Sequence, residues 1–419
     1  MRIIADLHIH SPYSRAVSRD MTLENLDYWA RLKGITVMGT GDFTHPAWIK
    51  EIKEKLEPIE PGLYRIKNQE VRKENATRFM LTVEISSIYS KNGRVRRIHN
   101  LIFVPSLETA EKINAQLGWR GNLKSDGRPI LGIDSKELAQ IIFNIDSRAM
   151  IVPAHAWTPW FSIFGSMSGF NLIDECFEEY AKYIYAIETG LSSDPAMNWR
   201  WSHLDRISLL SNSDSHSLQK IGREANIFDT ELSYDGIIEA IKSRDPRKFL
   251  YTIEFFPEEG KYHYDGHRVC QVRLEPQETK KFNKLCPSCG KAVTIGVMNR
   301  VQELADRPLG GKPNIVIPFK SLVPLDEIIA DSFDMGNTAK RVKDEYTNLI
   351  GKIGSEFAVL ADASLSDLAL ATVPEVVEGI TRVREGRIYI EPGFDGEYGR
   401  IRIFKEDERK EITKQTSLF

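Results

Sequence analysis

The hexapeptide Ala5-Asp6-Leu7-His8-Ile9-His10 directly follows the apolar pair Ile3-Ile4. In an extended strand, side chains two positions apart point to the same face. Asp6, His8 and His10 therefore converge as two imidazoles and a carboxylate, the donor set that grips a divalent cation. Polar side chains at a buried strand end need partners. The same residues also read as a hydrogen-bonded polar cluster or a surface strand, and the rest of the chain has to decide.

Further apolar runs deliver similar residues. Ile35 to Thr40 leads to Gly41-Asp42-Phe43-Thr44-His45, Phe79 to Val83 to Glu84, and the run Ile98 to Val104 carries His99. Met150 to Ala154 leads to His155, Tyr183 to Ile187 to Glu188, and Ile207 to Ser213 to Asp214-Ser215-His216. Six of the nine histidines sit at such strand ends or starts. Imidazole with carboxylate suits Zn, Mn or Fe(II), whereas an all-oxygen cage suits Mg or Ca. The donors outnumber one tetrahedral site, which predicts two or three divalent metals with Glu84 or Asp214 as a bridge. Two metals roughly 3.5–4 Å apart activate a water and hold the leaving oxygen of a phosphoryl displacement.

The elements that must position these residues read as strands alternating with helical stretches to about residue 216, an α/β pattern. Active sites of parallel α/β barrels are built at the carboxyl ends of the strands. The 419 residues suffice for two or three domains, and a net charge of -3 gives no global basic field. With no leader-like segment and no long apolar run, a cytoplasmic protein without membrane contact is expected. A monomer is expected.

The ordered series Asp-x-His-x-His, Gly-Asp-x-x-His, strand-end Glu, two separated His and a closing Asp-x-His resembles the polymerase-and-histidinol-phosphatase (PHP) phosphoesterases. The resemblance covers the first half and implies a distorted (β/α)7 barrel with a trinuclear centre. It implies that His8, His10, Glu84 and Asp214 hold one metal, that Glu84, His99 and His155 hold a second, and that His45 and His216 hold a third. Many members carry another His where this chain has Ala16, so the third site is one ligand short. Asp42 or Asp6 is the expected substitute, and Glu188 is counted with the ligand set. Glu84 and Asp214 are also read as catalytic.

After His155 comes an aromatic loop with Trp157, Trp160, Phe161 and Phe164. It reads either as a stacking surface for an extruded base or as a small satellite core. Asp194 either orients the attacking water or protonates the leaving oxygen, or caps the next helix. Arg94, Arg96 and Arg97 form a basic hairpin read as a phosphate contact.

Cys270, Cys286 and Cys289, with His267 three residues before the first, read as a structural Cys3His zinc site, with His263 as the alternative fourth ligand. The expected domains are a barrel over 1–250, a zinc-binding domain over 251–310, a mostly helical domain over 311–400 and a charged tail over 401–419. The tail's Gln415, Leu418 and Phe419 look like an abbreviated archaeal-type sliding-clamp (PCNA-like) peptide.

This whole series resembles the archaeal endonuclease Q family. The resemblance implies a DNA-repair endonuclease cutting 5′ of deaminated bases (uracil, hypoxanthine, xanthine) and of abasic sites. A small-molecule PHP phosphatase and a non-catalytic DNA- or clamp-binding scaffold are the alternative classes.

Overall fold

The computed structural model describes residues 1–67, 76–405 and 408. Seven strands carry the first half: β1 (Arg2–Asp6), β2 (Val37–Gly39), β3 (Arg78–Lys91), β4 (Arg94–Val104), β5 (Met150–Pro153), β6 (Ala186–Glu188) and β7 (Ser208–Leu210). β1, β2 and β3 pair in parallel, β3 with β4 and β4 with β5 antiparallel, and β6 with β7 in parallel. Two further links join the series. The His155 and Ala156 N–H groups donate to the Glu188 carboxylate and carbonyl, and Ile9 bridges Ser215 in parallel register. Ile9, just past β1, thus neighbours Ser215, just past β7, across a gap of two hundred residues.

Period-two alternation explains how the strands bury one face. Ile3, Ala5 and Leu7, Val37, Met80, Leu101 and Phe103, Met150 and Val152, Ala186 and Leu210 meet in one apolar cluster. Their neighbours Ile4, Met38, Phe79, Leu81, Ile102, Ile151 and Ile187 pack into a second cluster with the surrounding helices. The edge beyond β1 continues through β8 (Ala225–Asp229) and β9 (Phe249–Glu254), both antiparallel, to β10 (Phe319–Ser321), which is parallel to β9. The pairing is therefore mixed rather than uniformly parallel.

The β3–β4 hairpin turns on Asn92-Gly93, with φ of 53° and 72°. Left-handed conformation at both positions is what a tight two-residue hairpin requires. Because the ladder runs unbroken from Leu81–Val104 to Lys91–Arg94, Glu84 and His99 lie inside long strands rather than at strand ends. Cross-strand pairing prolongs β3 well past its apolar run.

In the second half, a short hairpin (Asp265–His267 with Val272–Leu274) precedes the helices Leu325–Phe333, Lys340–Ile353, Leu365–Ala371 and Pro374–Arg384. Among the described residues, no helix is long and apolar enough to cross a membrane. The two halves are joined by a buried ion pair. Helix Leu23–Lys33, capped by Thr22 and ended by Gly34 at φ 89°, carries Lys33 in its last turn. Lys33 Nζ meets Glu356 Oε2 at 2.7 Å with both side chains under a tenth exposed. Glu356 also accepts from Tyr346 Oη and from the Leu325 N–H. Removing one partner strands the other charge, so Glu356→Ala is expected to cost about 3–5 kcal/mol. Chemical denaturation measures it; a loss below about 1 kcal/mol would show that the pair is not a fastening between the halves.

Candidate active site

Glu84 sits at the middle of the site, fully buried on β3. Its Oε1 lies 2.8 Å from His99 Nδ1 and 3.1 Å from His155 Nε2, and its Oε2 accepts from Arg128 Nη1 at 3.0 Å. His10 Nε2 stands 3.1 Å from Asp214 Oδ1 and 3.5 Å from Glu84 Oε2. Three groups offer ligand atoms close enough to share a cation: His8, His10 and Glu84; His10, Asp214 and His216; Glu84, His99 and His155.

The donor chemistry fits divalent metal. His8 Nε2 is buried without a hydrogen-bond partner, 3.5 Å from Asp214 Oδ1 and 3.8 Å from Glu84 Oε1. His99 Nδ1 and His155 Nε2 approach to 3.2 Å, both facing the same carboxylate oxygen. Ring nitrogens and carboxylates directed at a common point are satisfied together by a cation. Burial pushes His99 down to about 4, so it is a neutral donor near pH 7, as metal ligation needs. Burial opposes charge on Glu84, yet His99 and Arg128 hold its carboxyl well below the usual range. Burial likewise opposes charge on Asp214, where His8 and His10 keep the carboxylate ionised.

Three acids read as ligands in the sequence have other duties. Glu188 accepts from His8 Nδ1 at 3.0 Å, from the His155 N–H at 2.8 Å and from Asn212 Nδ2 at 3.0 Å. Asp42 takes His10 Nδ1 at 3.0 Å and three donors of Ser11 and Ser14. Asp6 accepts from the Ser213 and Gly222 N–H groups at 3.0 and 2.9 Å. Their oxygens are taken up by protein donors, so Glu188 and Asp42 orient the His8 and His10 rings while Asp6 ties β1 to the loop carrying Asp214. Carboxylates behind ligating histidines fix ring orientation and basicity.

His45 also departs from expectation. It stands at the start of helix Pro46–Lys55, stacked on Tyr13 at 4.4 Å, outside the three ligand groups. His216 instead joins His10 and Asp214. The backbone is strained where it turns these residues inward: Asp42, His155 and Asp214 have φ of 50°, 30° and 46°. Such conformations persist only where surrounding structure enforces them. Gly41, at φ +59°, lies so close to the Ile9 carbonyl that a Cβ would collide with it.

The aromatic loop divides. Trp157 and Phe164 are buried, packed on each other and on Trp201, with Trp157 Nε1 bonded to Asn198. They form the satellite core and are not available for stacking. Trp160 and Phe161 are partly exposed, Phe161 lying 4.8 Å from the His99 ring. Arg96 is buried, its guanidinium bonding the Gly169 carbonyl and covering Phe170 rather than standing free on a basic hairpin. Arg94 is exposed and Arg97 partly so. Asp194 caps helix Pro195–Asn198, accepting from the Met197 N–H at 2.8 Å. Of its two readings, the cap is the one the contacts display.

His267, Cys270, Cys286 and Cys289 form a fourth group able to hold a metal ion, with Cys289 Sγ 3.4 Å from His267 Nδ1. His263 is buried against Tyr264 and lies outside it. Gln415, Leu418 and Phe419 lie outside the described residues.

Arg128 and Asn212 were missed in the sequence. Asn212 stands beside Asp214, and its Oδ1 accepts from the Leu7 N–H while Nδ2 holds Glu188; that adjacency was a usable signal. Arg128 lies in the loop Gly127-Arg128-Pro129, where no periodicity marks it.

A histidine–carboxylate centre inside a mixed α/β fold, with a Cys3His knuckle and a helical second half, defines the class. The MJ0043 C-terminal domain family matches residues 324–387. The protein MJ0043 of Methanocaldococcus jannaschii is 32% identical over 322 residues, covering 72% of this chain and 39% of its own length. YqxK of Bacillus subtilis is 30% identical over 419 residues, covering 96% of this chain and 99% of that protein. The crystal structure of the lesion-specific endonuclease PfuEndoQ from Pyrococcus furiosus superposes with a TM-score of 0.85 at 33% identity, covering 97% of this chain and 96% of that one. Endonuclease Q bound to a 27-mer duplex with an abasic lesion at its active site gives 0.84 at 33% identity, covering 97% and 98%. The chain belongs to the endonuclease Q family.

Because Glu188 holds His8 and the backbone of His155, Glu188→Gln is expected to lower divalent-metal affinity about 10–100-fold. Chelator competition measures the constant. Wild-type affinity in a folded variant would remove the orienting role.

Proposed function

We propose that this chain is a lesion-specific DNA-repair endonuclease that hydrolyses a phosphodiester with divalent metals held by His8, His10, Glu84, His99, His155, Asp214 and His216. The single observation that carries the reading is the convergence of these side chains, drawn from five separate segments, around the buried carboxylate of Glu84. Full-length likeness to endonuclease Q structures supports DNA as the substrate. In this reading the seven strands are the distorted PHP-type barrel, and residues 251–310 and 311–400 are the zinc-binding and helical domains.

When bound, divalent cations supply electrophilic activation of a water and of the phosphate. The chain's own residues do the positioning. Glu84 is shared between two ligand groups, and Asp214 and His216 lie at the accessible edge, about a quarter to a third exposed. Glu188, Asp42 and Thr158 Oγ1, 3.1 Å from His155 Nδ1, fix the rings. Trp160 and Phe161 offer a partly exposed aromatic rim for a nucleotide that must leave the stack. The substrates proposed are uracil, hypoxanthine, xanthine and abasic sites, cut on the 5′ side, and the Cys3His group is proposed to hold structural Zn.

The test is nicking of a duplex with one uracil or abasic nucleotide, with product ends mapped. His8→Ala and Asp214→Ala are expected to abolish cutting while lesion binding stays within a few-fold of wild type. Undiminished cutting by either variant refutes the centre, and turnover of a phosphomonoester instead of DNA moves the chain to the phosphatase class. Cys286→Ser is expected to lower the melting temperature and release one equivalent of zinc. A variant that keeps both melting temperature and zinc content refutes the structural-zinc assignment.

A further inference from the structure

We propose that Arg128 is the residue that contacts the scissile phosphate, a guanidinium fork aimed at a non-bridging oxygen; this rests on the nuclease reading above. Its backbone is locked between two segments that carry the centre. The Gly127 N–H donates to the Tyr13 carbonyl at 3.0 Å, and the Ser86 N–H donates to the Pro129 carbonyl at 3.1 Å. Asp126, itself buried, accepts from the N–H groups of Arg128 and Arg15 at 3.1 and 3.4 Å. A Cβ at position 127 would strike Asp42 and Ser14. Only glycine lets this loop press against the carboxylate that orients His10.

Exposure identifies the side from which substrate arrives. The side chains of His8, His10 and Glu84 are at most 1% exposed, whereas Arg128 is 24%, Asp214 25% and His216 33% exposed. Arg128 therefore stands at the mouth with two groups of the open ligand set, its Nη1 on Glu84 at 3.0 Å. Among the described residues that is its one side-chain hydrogen bond, so the rest of the fork is unused by protein. Asp214, His99 and His216 all lie within its electrostatic reach.

A planar guanidinium matches the paired oxygens of a phosphate and keeps its charge at every working pH. A phosphodiester brings one negative charge, and its hydrolysis gathers more on the equatorial oxygens. A fixed cation at the mouth stabilises that growth without reorganising.

The test uses the full metal-loaded chain and the variants Arg128→Ala and Arg128→Lys. Single-turnover nicking of a lesion duplex is expected to fall about 10²–10³-fold in Arg128→Ala, with bound metal per chain and melting temperature unchanged. Arg128→Lys recovers part of the rate. Replacing either non-bridging oxygen by sulfur slows the wild type, and for one stereoisomer that penalty disappears in Arg128→Ala. Calorimetric binding of orthophosphate, which needs no cutting, is expected to weaken about tenfold. Cutting by Arg128→Ala within about threefold of wild type overturns the proposal. So does a rate loss accompanied by lost metal and an unchanged sulfur penalty, which marks a mere counter-ion to Glu84. A wild type that binds orthophosphate through Arg128 but leaves lesion DNA uncut refutes the nuclease reading alone.

Discussion

The constraint on which the rest depends is the burial of one ionised carboxylate. Glu84 lies in the interior of a two-stranded ladder, without solvent to stabilise its charge. A lone carboxylate there would be protonated or would destabilise the fold by several kcal/mol. It is kept charged because His99, His155, His8, His10 and Arg128 reach it from β4, the β5 and β1 ends and the 126–129 loop. None of these elements is adjacent to all the others in sequence, so the fold has to bring them together before Glu84 is compensated. The same arrangement that compensates Glu84 is one that receives cations.

A second ring of acids makes that arrangement rigid. Asp42 and Glu188 each hold a histidine by Nδ1, which leaves the Nε2 atoms of His10 and His8 turned toward Glu84 and Asp214. With a cation bound, a ring that donates from Nδ1 would present its lone pair at Nε2. Asp6 accomplishes the same for backbone, pinning the loop at Ser213 beside Asp214. Ser11 and Ser14 supply donors that orient Asp42, and Asn212 one that orients Glu188. Short polar side chains around a centre are therefore part of its geometry.

Legibility in the sequence followed the range of the interaction concerned. Local alternation revealed the strands, and the histidines they carry were readable because imidazole is scarce and six of nine fell in one pattern. Which acid faces the histidine cluster and which stands behind a ring was not readable, because Asp6, Asp42 and Glu188 differ from Glu84 and Asp214 only in what packs around them. The aromatic loop was ambiguous for a related reason. Trp157 and Phe164 find Trp201, over thirty residues away, and that contact decides burial. Arg96 looked like a surface cation until Phe170 and the Gly169 carbonyl claimed it. Antiparallel extension of β3 was hidden because serines and tyrosine follow its apolar run, yet pairing with β4 carries the strand through them.

The loop after His155 also explains why the two halves are joined where they are. Arg96 holds it from the β4 side through the Gly169 carbonyl. From the second half, the buried Arg300 donates to the carbonyls of Phe164 and Phe170 at 3.0 and 3.1 Å, and to Asn171 Oδ1. Ser166 Oγ reaches the Ile295 carbonyl, and Trp160 packs edge-on against Tyr262. Two arginines thus clamp one loop from opposite sides, each satisfying carbonyls that a loop of this length leaves without secondary-structure partners. The knuckle lies apart from the His–carboxylate cluster in sequence and in chemistry, cysteines against carboxylates.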